Sequence, residues 1–527
     1  MKKYTNKKIL IDEKGSITIY VLTTMLLMLI VTISVYVNKQ NEVMKSMQEI
    51  SKIQKEYNTD NIDNAYEEFT SDENPPIAEI AASEVENKIS KITVKAKDNE
   101  TRIAKYEIYV NNNLVNTQET ANEEINYDYT TTFGNCETYA VVTDVMGNTV
   151  TTNKLTIVDN TIKYLDELKR FRDNVNSGNS YQDTTITQIA DIDMGGQANG
   201  SWTPIGTDST KFRGTYDGSN FTISNLYINT TVVDCGLFGN FNGTIKNLTV
   251  KNANVTCGGS GAILAGYAVG TIENVKVEGG RLSGIQTIGA IAGYCFEELT
   301  IRNCSNSAEV ICPAGGYNST NAWYIGGIAG MITGRIEKCM NTGKVSGVHA
   351  IGGILGQSGN TIVKECVNKG AVEAVSENLN GEQAGGIVGY LGWGDTATVD
   401  SCYNTGIINS LGEAGGIVAE ANGNNGTAII NNSYNIGEIK QSSGYTGGII
   451  GKKNVSGILT LSNNYWLSTC GTKYGFARDE SNGNTSSNVN ATPKSSQELK
   501  NLTATLGASF KADTENINNG YPILTWQ

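Results

Sequence analysis

Five residues, Gly-Gly-Ile-hydrophobic-Gly, return down the second half of the chain. They stand at Gly326 to Gly330, Gly352 to Gly356, Gly385 to Gly389 and Gly447 to Gly451, and alanine closes the copy at Gly415 to Ala419. Looser relatives occur earlier, at Gly236 to Gly239, Gly261 to Gly266 and Gly289 to Gly293. Copies lie roughly 25 to 37 residues apart, the period of a stacked repeat whose units bury their apolar faces only against their neighbours. Such a chain is expected to fold for most of its length as an elongated parallel β-solenoid. The 527 residues exceed what one compact core holds, and 59 glycines against 6 prolines mark punctuated repeats, not a disordered Pro/Gly tract.

Charge and histidine content exclude whole classes of function. A net charge of -13 and pI ≈ 4.9 leave no electrostatic footprint for nucleic acid. The one histidine, His349, removes His-based triads and His-ligated zinc, and no cofactor or metal is expected.

Ser16 to Val37 carry no charge and reach roughly 33 Å as a helix, enough for a membrane span, with Lys2, Lys3, Lys7, Lys8 and Lys14 ahead of them. The basic tail predicts a cytoplasmic N-terminus (1–15), a single-pass helix (16–37) and a bulk outside a bacterial cell. A cleaved signal peptide is the runner-up. The stretch from Gly15 to Ile19, with its basic leader, also resembles a type IV pilin-like start, cut after Gly15, although Tyr20 stands where that pattern has Glu. Val43, Met47, Ile50, Gln54 and Tyr57 form a short coiled-coil-like stripe in the stalk (38–73), open to self-association or plain solvation.

From 74 to 158 the hydrophobic period becomes two, as in Ile92, Val94 and Ala96, with a turn at Asn111 to Asn113. This predicts an antiparallel sandwich. Its stretch Ala140 to Asn148 resembles bacterial Ig-like surface domains, which implies a spacer or adhesive module. Thr161 to Asn176 then places Leu165, Leu168, Phe171 and Val175 on one helical stripe and is expected to cap the solenoid of 159–490.

Several segments of that solenoid resemble GLUG-repeat surface proteins: Ala190 to Asp193, Trp202 to Gly206, Phe212 to Gly218, Thr222 to Leu226, Gly236 to Gly239 and the later Gly-Ile-x-Gly copies. The resemblance covers about Thr161 to Gln527. It implies a β-solenoid on an exported bacterial protein, for most members without known activity.

Aligning the repeats exposes three further columns. Cys304, Cys339, Cys366 and Cys402 form one, with Leu248 and Val275 ahead and Ser433 behind; Asn306, Asn341, Asn368, Asn404 and Asn435 form the second. Glycine usually follows two residues after the Asn, where a left-handed backbone is expected. Two residues before each cysteine stand Lys246, Glu273, Arg302, Glu337, Lys364 and Asp400, whose signs alternate without a break. Alternation makes sense if each repeat is one rung, stacked in parallel register. Stacked thiols are expected to be free, with rung-to-rung disulfides the alternative.

Catalysis is not expected. Asp191, Asp193 and Asp217 sit where turn-capping is the simpler role, and no repeat breaks its pattern to gather acids with Lys and Arg. A surface adhesin or scaffold leads, a minor-pilin-like filament component is second and a polysaccharide-active β-helix third. Tyr267, Tyr294, Tyr317, Trp323, Tyr324, Tyr390 and Trp393 are candidate contacts for a glycan or protein ligand. Ser495 to Glu498 opens a helix through Leu502 and Leu506, and 491–527 is expected to cap the last rung.

Overall fold

The computed structural model describes residues 13–56, 72–313, 324–374, 382–423, 425–441, 445–483 and 485–527. Helix α1 runs without interruption over Glu13–Glu56, so the apolar stretch and the start of the stalk are one element. Its portion Leu22–Met47 is long and apolar enough to cross a membrane, a property that a signal sequence near an N-terminus shares. Val43, Met47 and Ile50 are exposed on it; the side chain of Gln54 and all of Tyr57 fall outside the described residues.

Contacts divide the chain into two units, one of residues 1–84, 90–129 and 136–157, the other of 85–89, 130–135 and 158–527. The first holds Ig-like sheets. Ile77–Ala82, Ile89–Lys97 and Glu124–Thr130 make one; Asn113–Glu119, Ile103–Val110, Gly134–Asp144 and Thr149–Thr151 make the other, joined by Leu155–Asp159. Alternation puts Ile92, Val94, Tyr106, Ile108, Ala140 and Val142 inside. Asn111 and Asn112 both take positive φ, 49° and 63°, the twist a tight hairpin needs and asparagine tolerates.

The second unit is a parallel β-solenoid of about 11 turns. One repeat makes one rung: Ile325 and Gly326 pair with Ile351 and Gly352, and Gln383 to Gly385 with Glu413 to Gly415. Aliphatic residues fill the bore, among them Ile328, Ile354, Ile387, Ile417 and Ile449.

The asparagines stack inside this bore. Asn306 donates to Asn341 at 2.9 Å, Asn341 to Asn368 at 2.9 Å, Asn368 to Asn404 at 2.8 Å and Asn404 to Asn435 at 2.8 Å. Each amide also closes its own turn, as when Asn368 donates to the Gly370 carbonyl and accepts from the Gly370 amide. Every amide polar atom is thereby satisfied without water, the condition for burying it. The glycines two residues on do not adopt positive φ, contrary to expectation. Gly370 is needed because a Cβ there would overlap the carbonyl oxygen of Gly343. The second glycine of each repeat serves the same stack: a Cβ on Gly353 would strike the Asn368 amide. The left-handed residues lie elsewhere, just before the cysteine column, at Asn247, Asn274, Asn303, Lys338, Glu365, Ser401 and Asn432. Asn fills four of these seven places because its short amide tolerates that conformation.

Cys304, Cys339, Cys366 and Cys402 are buried free thiols, and the Cys366 amide donates to the Cys402 sulfur at 3.4 Å. Burial pushes the Cys304 thiol up. A disulfide does exist outside this column, between Cys235 and Cys257.

Lys246 pairs in register with Glu273, Glu273 with Arg302, Arg302 with Glu337, Glu337 with Lys364 and Lys364 with Asp400. The series starts one rung earlier than sequence suggested, at Asp217, 3.3 Å from Lys246. Arg302 closes on Glu273, whereas Glu337 turns to Arg335 on its own strand at 3.3 Å.

Both ends depart from expectation. Thr161–Ile162 is a strand on the first rung, paired with Thr187 and Gln188, so capping helix α2 spans only Leu165–Asn176. At the C-terminus, α3 (Ser496–Lys500) and α4 (Thr503–Leu506) break at Asn501 and Leu502. The tail then folds back along the outside. Leu499, Leu506, Phe510 and Leu524 pack on Val367, Tyr403 and Tyr434, and the Trp526 indole donates to the Glu365 carbonyl at 3.0 Å.

Candidate functional site

The residue that follows the last glycine of each repeat leaves the bore and turns outward, because alternation along the strand reverses its face. Glycine and alanine ahead of it keep the rung flat, and the repeat itself imposes no residue type there. In rung order the column reads Asn240, Tyr267, Tyr294, Met331, Gln357, Tyr390, Glu420, Lys452 and Arg478, each paired with the next. At about 4.8 Å per rung it extends roughly 38 Å along one face.

Aromatic rings occupy its early rungs. Tyr267 and Tyr294 meet edge to face with centroids 5.1 Å apart, and Phe296, 66% exposed, continues the row at 5.5 Å from Tyr294. Lys211 sits 5.1 Å over Tyr267. Beside Asn240 a cavity of about 530 Å³ opens, lined by Trp202, Asp208, Val232, Val233 and Asp234. Burial raises the Asp234 carboxyl above its ordinary range although Tyr294 and Asn240 hydrogen-bond to it.

The late rungs gather charge. Lys452 Nζ lies 3.8 Å from Glu413 Oε1, 3.8 Å from Glu420 Oε1 and 3.6 Å from Glu480 Oε1. Arg478 reaches Glu480 at 3.1 Å and stacks over Tyr445 at 4.3 Å. Glu420 accepts from Asn454 Nδ2 at 2.5 Å and from Gln383 Nε2; the Tyr390 hydroxyl accepts from the same Asn454 at 2.7 Å. Burial, reinforced by Glu413, holds the Glu420 carboxyl above its usual range in spite of Lys452, Asn454 and Gln383. Three carboxyl groups thus surround one ammonium, and burial raises the pKa of one of them, Glu420.

Sequence reasoning found this region only in part. Tyr390 is on the ladder but buried, its hydroxyl held by Asn454. Tyr324 is half-buried, its ring 6.5 Å from that of His349. Tyr317, Trp323 and the side chain of Trp393 lie outside the described residues. Asp191 and Asp193 bind the Thr222 amide (2.7 Å), the Gly195 amide (2.8 Å) and Asn225 (2.8 Å). The statement that no repeat gathers acids with Lys and Arg is corrected by Glu413, Glu420, Lys452, Arg478 and Glu480. Glu413 and Glu420 lie 7 positions apart, Lys452 follows 32 later and Arg478 26 after that, a spacing no local motif links, and only rung stacking brings them together. The signal that could have found them was the variability of the position after each repeat glycine.

No protein-family model matches the chain, the GLUG repeat included, and no curated protein matches it. Solved structures do. Pectate lyase PelI from Erwinia chrysanthemi in complex with tetragalacturonic acid is 12% identical over 76% of this chain and 88% of its own, with a TM-score of 0.15. The family 28 exopolygalacturonase of Yersinia enterocolitica is 9% identical over 75% and 92%, TM-score 0.22. Fibronectin(III)-like modules of Clostridium thermocellum CbhA match 16% of this chain at 20% identity, TM-score 0.14, and the match spans 44% of that chain. The expectation that the chain is no enzyme is corrected here. The carboxylate cluster whose supposed absence carried that expectation is present.

Proposed function

We propose that the protein is a surface-held β-helix that engages an extended polysaccharide along the ladder face and cleaves it at Glu413, Glu420 and Lys452. The observation that carries this reading is the buried Glu420 sharing Lys452 with Glu413. Glycosidic cleavage needs one carboxyl group to protonate the leaving oxygen and another to act as base or nucleophile. Glu420 is the donor and Glu413 the partner. Lys452 and Arg478 favour an acidic polymer, whose carboxylates they would pair, and Tyr267, Tyr294 and Phe296 provide stacking faces for its sugar rings. Retention at a bacterial surface follows if α1 stays in the membrane.

A purified chain should shorten polygalacturonate more readily than a neutral glucan, and Glu420→Gln should abolish cleavage while binding persists. Equal cleavage by the Glu420→Gln protein would sink the assignment. Binding without any cleavage would favour the second reading, a glycan adhesin or scaffold, which the exposed aromatic row also supports. A minor-pilin-like role rests on the continuous helix Glu13–Glu56 and would show as surface filaments lost on its deletion.

A further inference from the structure

Away from the ladder face, the second unit buries a lysine between two carboxylates. Lys88 Nζ lies 3.0 Å from Asp159 Oδ2 and 2.8 Å from Glu167 Oε1, with side-chain exposures of 6%, 1% and 8%. All three belong to the segments 85–89 and 158–527 of that unit. One ammonium against two carboxylates in a dry interior is a costly arrangement, since desolvating an ion pair often outweighs its Coulombic gain.

Glu167 does not need the lysine. Its carboxylate accepts backbone N–H groups from Phe133 at 3.2 Å, Lys163 at 2.8 Å and Tyr164 at 3.2 Å, at the positive end of α2. Asp159 is flanked differently: the Thr131 hydroxyl donates to Oδ2 at 2.7 Å and the Thr161 hydroxyl to Oδ1 at 2.6 Å. Two hydroxyls on the oxygens of a carboxyl group that the Lys88 ammonium already contacts through Oδ2 are placed to hydrogen-bond a tetrahedral oxyanion.

From this geometry we infer that Lys88 and Asp159 condense into an intramolecular amide, with Glu167 as the proton shuttle. The Lys88 ammonium passes one proton to the Asp159 carboxylate, which gives a neutral amine beside a neutral acid. The amine nitrogen then forms a bond to Asp159 Cγ; Glu167 takes the second nitrogen proton and hands it to the departing hydroxyl. One C–O bond breaks, one C–N bond forms, one water leaves and Glu167 returns to its starting state. No oxidant, metal or cofactor enters the balance. Burial raises the Asp159 carboxyl, but hydrogen bonds from Thr161, Thr131 and Lys88 more than offset it. Its acid form must therefore come by direct transfer from the lysine, which contact at 3.0 Å permits. Fixed proximity of this kind replaces an encounter by an effective concentration of about 10⁵ M or more. The amide would close a covalent loop across 71 residues, so that tension applied at the N-terminal helix bypasses the chain between 88 and 159.

Peptide mass mapping of the denatured, disulfide-reduced full chain tests this without any variant. The expected result is a branched tryptic product that joins the peptides carrying Lys88 and Asp159, lighter than their sum by one water, with no cut after Lys88. Complete cutting after Lys88 to give linear peptides of full mass would overturn the proposal, and a branch at Glu167 would overturn the roles given to the two acids. Lys88→Arg should restore linear peptides, and Glu167→Gln should leave the branch largely unformed; a full yield of branch in Glu167→Gln removes the shuttle.

Discussion

Lys452 stands 3.8 Å from Glu420 on the neighbouring rung, yet burial still holds the Glu420 carboxyl above its ordinary range. Between the ordinary and the raised value, the folded protein retains a proton that the unfolded chain has released. Stability contributed by this group is present at low pH and falls as pH rises from the ordinary Glu value, about 4.3, through the raised one. Glu420→Gln cannot ionise. It should be more stable than the parent at pH 7 by urea denaturation, with the difference closing below about pH 4. A difference that does not change with pH would place the titration elsewhere.

Asn368 ties three rungs, donating to Asn404, accepting from Asn341 and closing its own turn at Gly370. Asn368→Ala leaves buried partners on both neighbours unsatisfied and should cost about 2 to 4 kcal/mol. Asn→Ala at exposed Asn113 should cost well under about 0.5 kcal/mol. Equal effects in denaturant melts would mean that the stack adds nothing beyond a surface amide.

Gly353→Ala offers a steric counterpart. Its Cβ would meet the Asn368 amide and the Gly386 carbonyl oxygen. Backbone cannot yield there without opening the rung, so the variant should be recovered at lower yield and lower Tm than Gly359→Ala, whose nearest neighbour is the Thr333 hydroxyl.

The tail of α3, α4 and the strands after them covers Val367, Tyr403 and Tyr434 on the outer wall. Removal of residues 495–527 should uncover that apolar stripe and cause association, read by light scattering and by dye binding. A truncated chain that stays monomeric and binds no dye would show that the tail is dispensable.

Cys235 is bonded to Cys257 and the other eight cysteines form no disulfide. Thiol titration should count about eight groups in denaturant before reduction and ten after it. In the native state nearly all should resist reagent, because Cys304, Cys339, Cys366 and Cys402 are buried. Fewer than eight in denaturant would point to bonds along the column.

Much of the fold was legible because a repeat writes its physics many times. Glycine, asparagine and the alternating charges return at one spacing, and a single register explains all three. The reason for the glycines was misread: sequence suggests a left-handed turn, whereas Gly353 and Gly370 are required by amide and carbonyl atoms that approach from neighbouring rungs. Close approach between rungs leaves no mark within one repeat. The disulfide was missed for a related reason, since Cys235 and Cys257 lie outside the repeating column.

The sequence by itself determined the periodic parts: an apolar N-terminal helix, an alternating sandwich, and a one-rung repeat whose bore, asparagine stack and register follow from local pattern. Only the tertiary structure decided what stands beside what. Glu413, Glu420, Lys452 and Arg478 come from three successive rungs, and Lys88 meets Asp159 across 71 residues. Periodicity specifies how a rung stacks, but contacts between non-equivalent positions are set by loop lengths and packing, which no single repeat encodes.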